Sequence, residues 1–468
     1  MIDKAVINQI QNTVGKGNVA LDKETRICYS YDATNLKYLP DLIAYPTTRE
    51  QISETLKLAN EYRFPVIPRG AGTGFTGGTL PVQGGVVMVL TKMNKIWQID
   101  RENLFAIVEP GVITYDLQQE VEKIGLFYPP DPASLKSSTI GGNVAECAGG
   151  PRALKYGTTK DYVLGLEVVL PTGEIISTGV ITAKGVVGYD LTKLLVGSEG
   201  TLGIITKIIL RLIPLPKSKR TLLAIFPTID AAATTVSQII SSKIIPATLE
   251  FMDNACIRCV EDYLHMGLPV EAGALLIIEV DGAPEALSVE VEEIQKICQA
   301  NQAIEIKVAK DNQEAEDLWK ARRAVSTAVV KINPTKVNED ITVPRSKVPE
   351  ILRRVEAIGK KHNLIIVNFG HAGDGNIHVN VMIDKRRPGE EERAHAAVKE
   401  IFTTTLELGG TLSGEHGIGI TKAPYISMEL GDMGLEVMRR IKKAFDPNNI
   451  LNPGKIFPEK QTKQVHHL

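Results

Sequence analysis

Cysteine is scarce in this chain: 468 residues carry five, at positions 28, 147, 256, 259 and 298, an odd count without framework spacing. That pattern excludes a disulfide scaffold and an internal iron–sulfur cluster, and it suits a reducing cytoplasm. Cys256 and Cys259 make a lone C-x-x-C inside a stretch that reads as a helix over 254–265, with no second pair, so ordinary buried thiols are expected there. Long apolar runs are missing too, which excludes a helical membrane span. The start MIDKAVINQIQNTVG has no basic region followed by an apolar run and reads as an amphipathic helix rather than a secretion signal. No charge of one sign dominates: Lys plus Arg number 53 against 55 for Asp plus Glu, so nothing in the balance draws the chain to nucleic acid or an anionic membrane. The expectation is a cytoplasmic protein long enough for two or three domains, whose partners are set by local sites.

What is there begins as an α+β pattern. DLIAYP, PVIP, VVMVL and FAIVEPG read as short strands, with a helix opened by Thr48-x-x-Gln51 and another at TYDLQQEVEKIG. Past the hinge LIPLPKSK (212–219), two strand–helix–strand units follow in series up to Val308, which predicts a ferredoxin-like sheet with helices on one side.

Glycine concentrates in loops. Gly72-Thr-Gly-Phe-Thr-Gly77 fits the G-x-G-x-x-G of dinucleotide-binding turns, but that reading needs a helix to start in the loop, and the chain continues with Pro81, Gly84 and Gly85 into a strand. What remains is RGAGTGFTGG, whose successive backbone N–H groups can face one anion; a ligand-free glycine hairpin is the alternative. TIGGNVAECAGG and GSEGTLGIIT are further glycine-rich segments, and the three together suggest a long, extended cofactor.

Histidine is also sparse, with eight in all and none before His265. In NFGHAGDGNIHVN, two strands flank the loop HAGDGN, so His371 and His378 could converge across the turn, either as metal ligands or as structural histidines. In SGEHGIG, Glu415 and His416 are adjacent, and in an extended segment they point in opposite directions. DLWKARRAVSTA places Trp319, Arg322 and Ser326 along one helix face; a solvated basic face is the plain alternative.

PRGAGTGFTGG, YPPDPAS, TIGGNVAECAGG, KYGTTKDYV, GSEGTLGIIT, GHAGDGNIH, SGEHGIG and FDPNNILNPGK, in that order, resemble the FAD-dependent D-2-hydroxyacid dehydrogenases of the vanillyl-alcohol-oxidase-type superfamily, the group of glycolate oxidase catalytic subunits and D-lactate dehydrogenases. The resemblance implies an α+β fold with an FAD-binding domain of two α+β subdomains and a ferredoxin-like C-terminal cap. The implied divisions are an N-terminal helical segment at 1–40, the FAD domain at 41–216, a substrate and cap domain with a metal site at 217–425, and a helical segment at 426–468 returning to the FAD domain. Arg69, Gly70, Ala71, Gly72, Thr73 and Gly74, with Thr76, Gly77 and Gly78, are then expected at the diphosphate. Pro132, Thr139, Gly142, Asn143, Gly149, Glu199, Gly200, Ile205 and Asn452 are expected along the rest of the cofactor. The flavin is expected to be non-covalent, since no histidine stands in the diphosphate loop.

The same resemblance makes His371, His378 and Glu415 ligands of a divalent metal, zinc first, with iron or manganese as alternatives; two imidazoles and a carboxylate with open positions suit a catalytic ion. It makes His416 the base and Arg322 the carboxylate-binding group, with Asn380 expected as a third catalytic residue beside the substrate and Arg323 the competitor to Arg322 if the register slips by one. The implied reaction is oxidation of a small D-2-hydroxy acid, D-lactate or glycolate in type, to the 2-oxo acid by metal-assisted hydride transfer to flavin N5. Electrons would pass to a separate protein acceptor, an iron–sulfur subunit or an electron-transfer flavoprotein, in a peripheral complex at the membrane or in solution; a homodimer is compatible. Two alternatives are a D-2-hydroxyglutarate dehydrogenase, which Ser326 in place of threonine disfavours and for which Lys336 is the candidate extra lysine, and a non-catalytic flavin-carrying subunit of a glycolate oxidase complex.

Overall fold

The computed structural model describes residues 2–458, so the last ten residues of the expected C-terminal segment, with His466 and His467, lie outside it. The chain forms two compact units, each discontinuous in sequence: one from the N-terminus to Ala148, Thr158–Leu215 and from Glu415 onward, the other from Gly149–Gly157 and Pro216–Gly414. The expected division at 425 and this one at Gly414 differ because the loop after Glu415 is held by first-unit groups: Ile418 and Gly419 each donate a backbone N–H to the Glu199 carboxylate, at 2.7 Å.

In the first unit, Val66–Arg69, Val86–Val89 and Leu42–Ala44 pair in parallel, as their unbroken apolar runs require of strands buried on both faces. The helix Arg49–Tyr62 starts where the Thr48 side chain accepts from the Gln51 N–H, and it buries Ile52, Leu56 and Ala59 against that sheet together with Val6, Ile10 and Val14 of the helix Lys4–Val14. An antiparallel sheet runs Ile96–Asp100, Phe105–Val108, Ile204–Arg211, Val163–Val169, Ile175–Gly179. The C-terminal stretch completes this unit. Buried Lys442 donates to Thr201 O, Leu451 O and Asp446 Oδ2, and Ile450 and Leu451 enter the same core.

The second unit holds strands β1 (Ser218–Phe226), β2 (Thr248–Asp253), β3 (Ala274–Gly282), β4 (Glu305–Val308), β5 (Thr335–Thr342), β6 (Ile365–His371) and β7 (Asn376–Ile383), in the sheet order β4-β1-β3-β2-β6-β7-β5. All neighbouring pairs are antiparallel. The first four strands have the ferredoxin-like order, with helices α1 (Ile229–Ser241) and α3 (Pro284–Ala300) packed on them. The sheet is larger than the sequence suggests, since β6, β7 and β5 extend it to seven strands. Helices also cover both faces. Helices α2 (Asn254–Leu264) and α4 (Asn312–Ala328) pack with Leu223, Ile225, Met252, Leu275, Ile277, Val367, Phe369 and Met382, alternate residues that share one face, while α5 (Val348–His362) and α6 (Glu390–Glu407) join α1 and α3 on the sheet.

Candidate functional site

A cleft enclosing about 550 Å³ of empty space, part of it open to solvent, runs through the first unit. Arg69, Gly70, Gly78, Thr139, Gly142, Glu199, Gly200 and Ile205 of the expected cofactor residues line it, and backbone forms much of its wall. At Gly70 a Cβ would strike the Thr139 hydroxyl, so only glycine lets the loop and the start of helix Ile140–Glu146 approach this closely. The Arg69 guanidinium lies beneath the loop, donating to Tyr31 O at 2.9 Å and to Thr79 Oγ1 at 3.2 Å. Among the described residues, the N–H groups of Ala71, Gly72, Thr73 and Gly74 donate to no protein acceptor, which leaves consecutive donors for an anion such as a diphosphate. Glycine walls, a row of backbone donors and a buried arginine fit an extended dinucleotide.

Other expected cofactor residues shape this cleft without lining it. Asn452 Nδ2 donates to Gly78 O and Glu199 O, and Asn143 Nδ2 donates to Thr114 Oγ1. Ala71, Thr73 and Gly74 lie in the loop beside it, as do Gly72 and Gly77 with positive φ. Thr76 Oγ1 donates to His416 O at 3.3 Å, and Pro132 accepts the Leu135 N–H. Gly149 belongs to the second unit. Glu146, absent from the sequence expectation, lines the cleft as well; burial, with the Glu199 charge beside it, pushes its carboxyl well above the usual carboxylate range.

In the second unit, β6 and β7 pair with His371 opposite Asn376 and Phe369 opposite His378, so both imidazoles stand on the face covered by α2 and α4. The two Nε2 atoms lie 3.4 Å apart and the rings meet at 85°. Glu415 follows Gly414 directly, and Gly414 is fastened by its N–H to Asp340 and by the bridge between Thr342 and Thr411, so the covalent chain delivers the carboxylate to the pair. At Gly414 a Cβ would collide with the Asn376 amide and the Thr342 hydroxyl. The ligand atoms of His371, His378 and Glu415 all lie within 4.8 Å of one another. Two imidazole nitrogens and a carboxylate oxygen at that spacing fit a divalent transition metal.

Glu250 of β2 is fully buried on this face. Its Oε1 accepts from His371 Nδ1 at 2.7 Å, and its Oε2 pairs with Arg322 Nη2 at 2.6 Å. Burial pushes the Glu250 carboxyl up, but its pairing with His371 and Arg322 outweighs that and holds the group below its ordinary value. The Arg322 guanidinium also stacks on Phe369, 4.9 Å from the ring centre, and among the described residues its buried Nε has no hydrogen-bond partner. Arg323 instead faces outward and pairs with Glu316. Asn380 is buried with its amide engaged: Nδ2 donates to Val367 O and His378 O, and Oδ1 accepts from Asn338. It braces the strand that carries His378. Sequence reading missed Glu250, although an acid flanked by apolar residues inside the strand ATLEFM is the available signal. His416 packs its ring 5.2 Å from that of Phe75.

Residues 40–179 match the family described as FAD binding domain, and residues 215–456 match that described as FAD linked oxidases, C-terminal domain. The glycine-walled cleft thus belongs to an FAD-linked oxidoreductase built from an FAD-binding domain and an FAD-linked-oxidase C-terminal domain. The chain is 49% identical over 466 residues to the glycolate oxidase subunit GlcD of Bacillus subtilis (strain 168), covering 99% of each chain, and 39% identical over 428 residues to the D-lactate dehydrogenase of Anaerostipes hadrus, covering 90% of each. It therefore belongs to the FAD-dependent D-2-hydroxyacid dehydrogenase family, of the glycolate oxidase subunit and D-lactate dehydrogenase type. The vanillyl-alcohol-oxidase-type fold is shared with p-cresol methylhydroxylase at a TM-score of 0.79, 20% identity and 97% coverage of both chains.

Proposed function

We propose that this chain oxidises a small D-2-hydroxy acid, glycolate or D-lactate in type, to the 2-oxo acid and passes the electrons to a separately encoded acceptor protein. The observation that carries this reading is the buried Arg322, a carboxylate-sized donor on the same sheet face as the imidazole pair and joined to it through Glu250. Guanidinium suits a substrate carboxylate because it donates parallel hydrogen bonds. When bound, FAD supplies the two-electron acceptor and a divalent ion, zinc in the first instance, supplies Lewis acidity for the substrate hydroxyl. His371, His378 and Glu415 hold the ion, the loop from Arg69 to Gly78 and the cleft walls hold FAD, and His416 accepts the hydroxyl proton. Asn380 keeps the His378 strand in place.

A partner is supported by relatives that are named as subunits, and the cysteine spacing offers no relay within the chain. Among the described residues no helix is long and apolar enough to cross a membrane. One observation favours a second reading, a dicarboxylate such as D-2-hydroxyglutarate: Lys336 Nζ donates to Ser326 Oγ at 2.8 Å, which sets another cation one helical turn from Arg322. A steady-state screen of D- and L-2-hydroxy acids with a dye acceptor decides between them. Turnover with D-lactate or glycolate at the highest kcat/KM supports the proposal, a clear preference for D-2-hydroxyglutarate selects the second reading, and no turnover with any of them overturns both.

A further inference from the structure

We propose that Glu250 is a positioning residue that orients the His371 imidazole and the Arg322 guanidinium together; this rests on reading the imidazole pair as a metal site and Arg322 as the carboxylate anchor. The strand alternation puts Glu250 opposite Ile277 and next to Met252 on its face, in an apolar stripe where a carboxylate without partners is strongly disfavoured. Its two oxygens are divided between two partners from distant parts of the chain: Oε1 is hydrogen-bonded to His371 Nδ1 at 2.7 Å, and Oε2 is ion-paired with Arg322 Nη2 at 2.6 Å without hydrogen-bond alignment.

Each contact has a chemical consequence. With its Nδ1–H donated to a carboxylate, His371 keeps its lone pair on Nε2, the nitrogen that faces His378 Nε2. A carboxylate behind a ligating imidazole fixes its tautomer and ring orientation and raises its basicity. On the other side, Glu250 and the Phe369 ring together fix the plane of Arg322, so the partnerless Nε points in one direction instead of sweeping through several. Because one carboxylate performs both tasks, a disturbance at Glu250 reaches metal affinity and substrate affinity at once. Neither neighbouring strand residue could do this, since Leu249 and Phe251 point to the opposite face.

The test uses the FAD-loaded full-length enzyme and its Glu250→Gln variant, with Zn²⁺ titrated against a competing chelator. Glutamine keeps the volume but offers only one accepting oxygen to two donors. The expected result is unchanged FAD stoichiometry, Zn²⁺ affinity lowered ~10–100-fold and, at saturating Zn²⁺, a KM for the hydroxy acid that rises more than kcat falls. Wild-type Zn²⁺ affinity in a variant that retains FAD overturns the proposal while leaving the metal reading intact. Absence of specific Zn²⁺ binding in the wild type, unchanged by His371→Ala, overturns both. Should the glutamine variant not fold, Glu250→Asp, which withdraws the carboxylate by a methylene, carries the test with the same readouts and the same expected direction.

Discussion

Adjacent residues can have opposite fates, and Arg322 and Arg323 are the sharpest case. Arg322 is buried against Glu250 and Phe369, while Arg323 is exposed beside Glu316, where a surface pair contributes about 0–1 kcal/mol. Arg322→Lys replaces a planar fork with a point charge, so KM for the hydroxy acid is expected to rise strongly; Arg323→Lys is expected to leave steady-state kinetics unchanged. Lys336 gives a pH signature. Burial lowers it from 10.5 to about 8, so between those values the unfolded chain binds more protons than the folded one and stability rises with pH. The burial penalty is complete below pH 8 and gone above 10.5. In denaturant melts, Lys336→Met is therefore expected to be more stable than wild type at pH 7, with the gap closing across that window. The imidazole pair and Glu415 were legible because they sit in short glycine-flanked motifs. Glu250 was not, because its partner His371 is 121 residues away and a strand's alternation names no partner.

At the scale of elements, the site depends on three strands in register. Asn338 stands opposite Asn380 and Asp340 opposite His378, so β5 supplies the polar wall of β7. The flanking strands β6 and β7 were readable from LIIVNF and IHVNVMI, but β5 was not, since Lys336, Asn338, Glu339 and Asp340 suppress the apolar signal that marks a strand. Those polar side chains are tolerated on this edge strand because they meet partners, such as Asn380 for Asn338 and the Ser413 hydroxyl for Asp340. The loop that follows Thr411 is fitted as tightly. Gly414→Ala is expected to destabilise the protein by ~1–3 kcal/mol through overpacking against Asn376 and Thr342 and to lower Zn²⁺ occupancy by displacing Glu415, measured by denaturant midpoint and metal content while FAD remains bound.

For the molecule as a whole, the two units divide the work as their composition suggests. The first is lined with glycine backbone and holds an elongated cofactor; the second concentrates imidazole, carboxylate and guanidinium on one sheet face. The order of the motifs made the family legible, whereas the seven-stranded sheet and the discontinuous units were not, because long-range pairing leaves no local pattern. The central claim, that the metal-ligand trio and Arg322 deliver a small D-2-hydroxy acid to bound FAD, is tested most directly by anaerobic single-turnover mixing of the FAD- and Zn²⁺-loaded protein with D-lactate and with glycolate. The account predicts rapid bleaching of the flavin by at least one of these substrates, little by L-lactate, and none in His371→Ala that still carries its FAD. Equal bleaching by that variant, or an oxidised flavin after mixing with every 2-hydroxy acid offered, would contradict it.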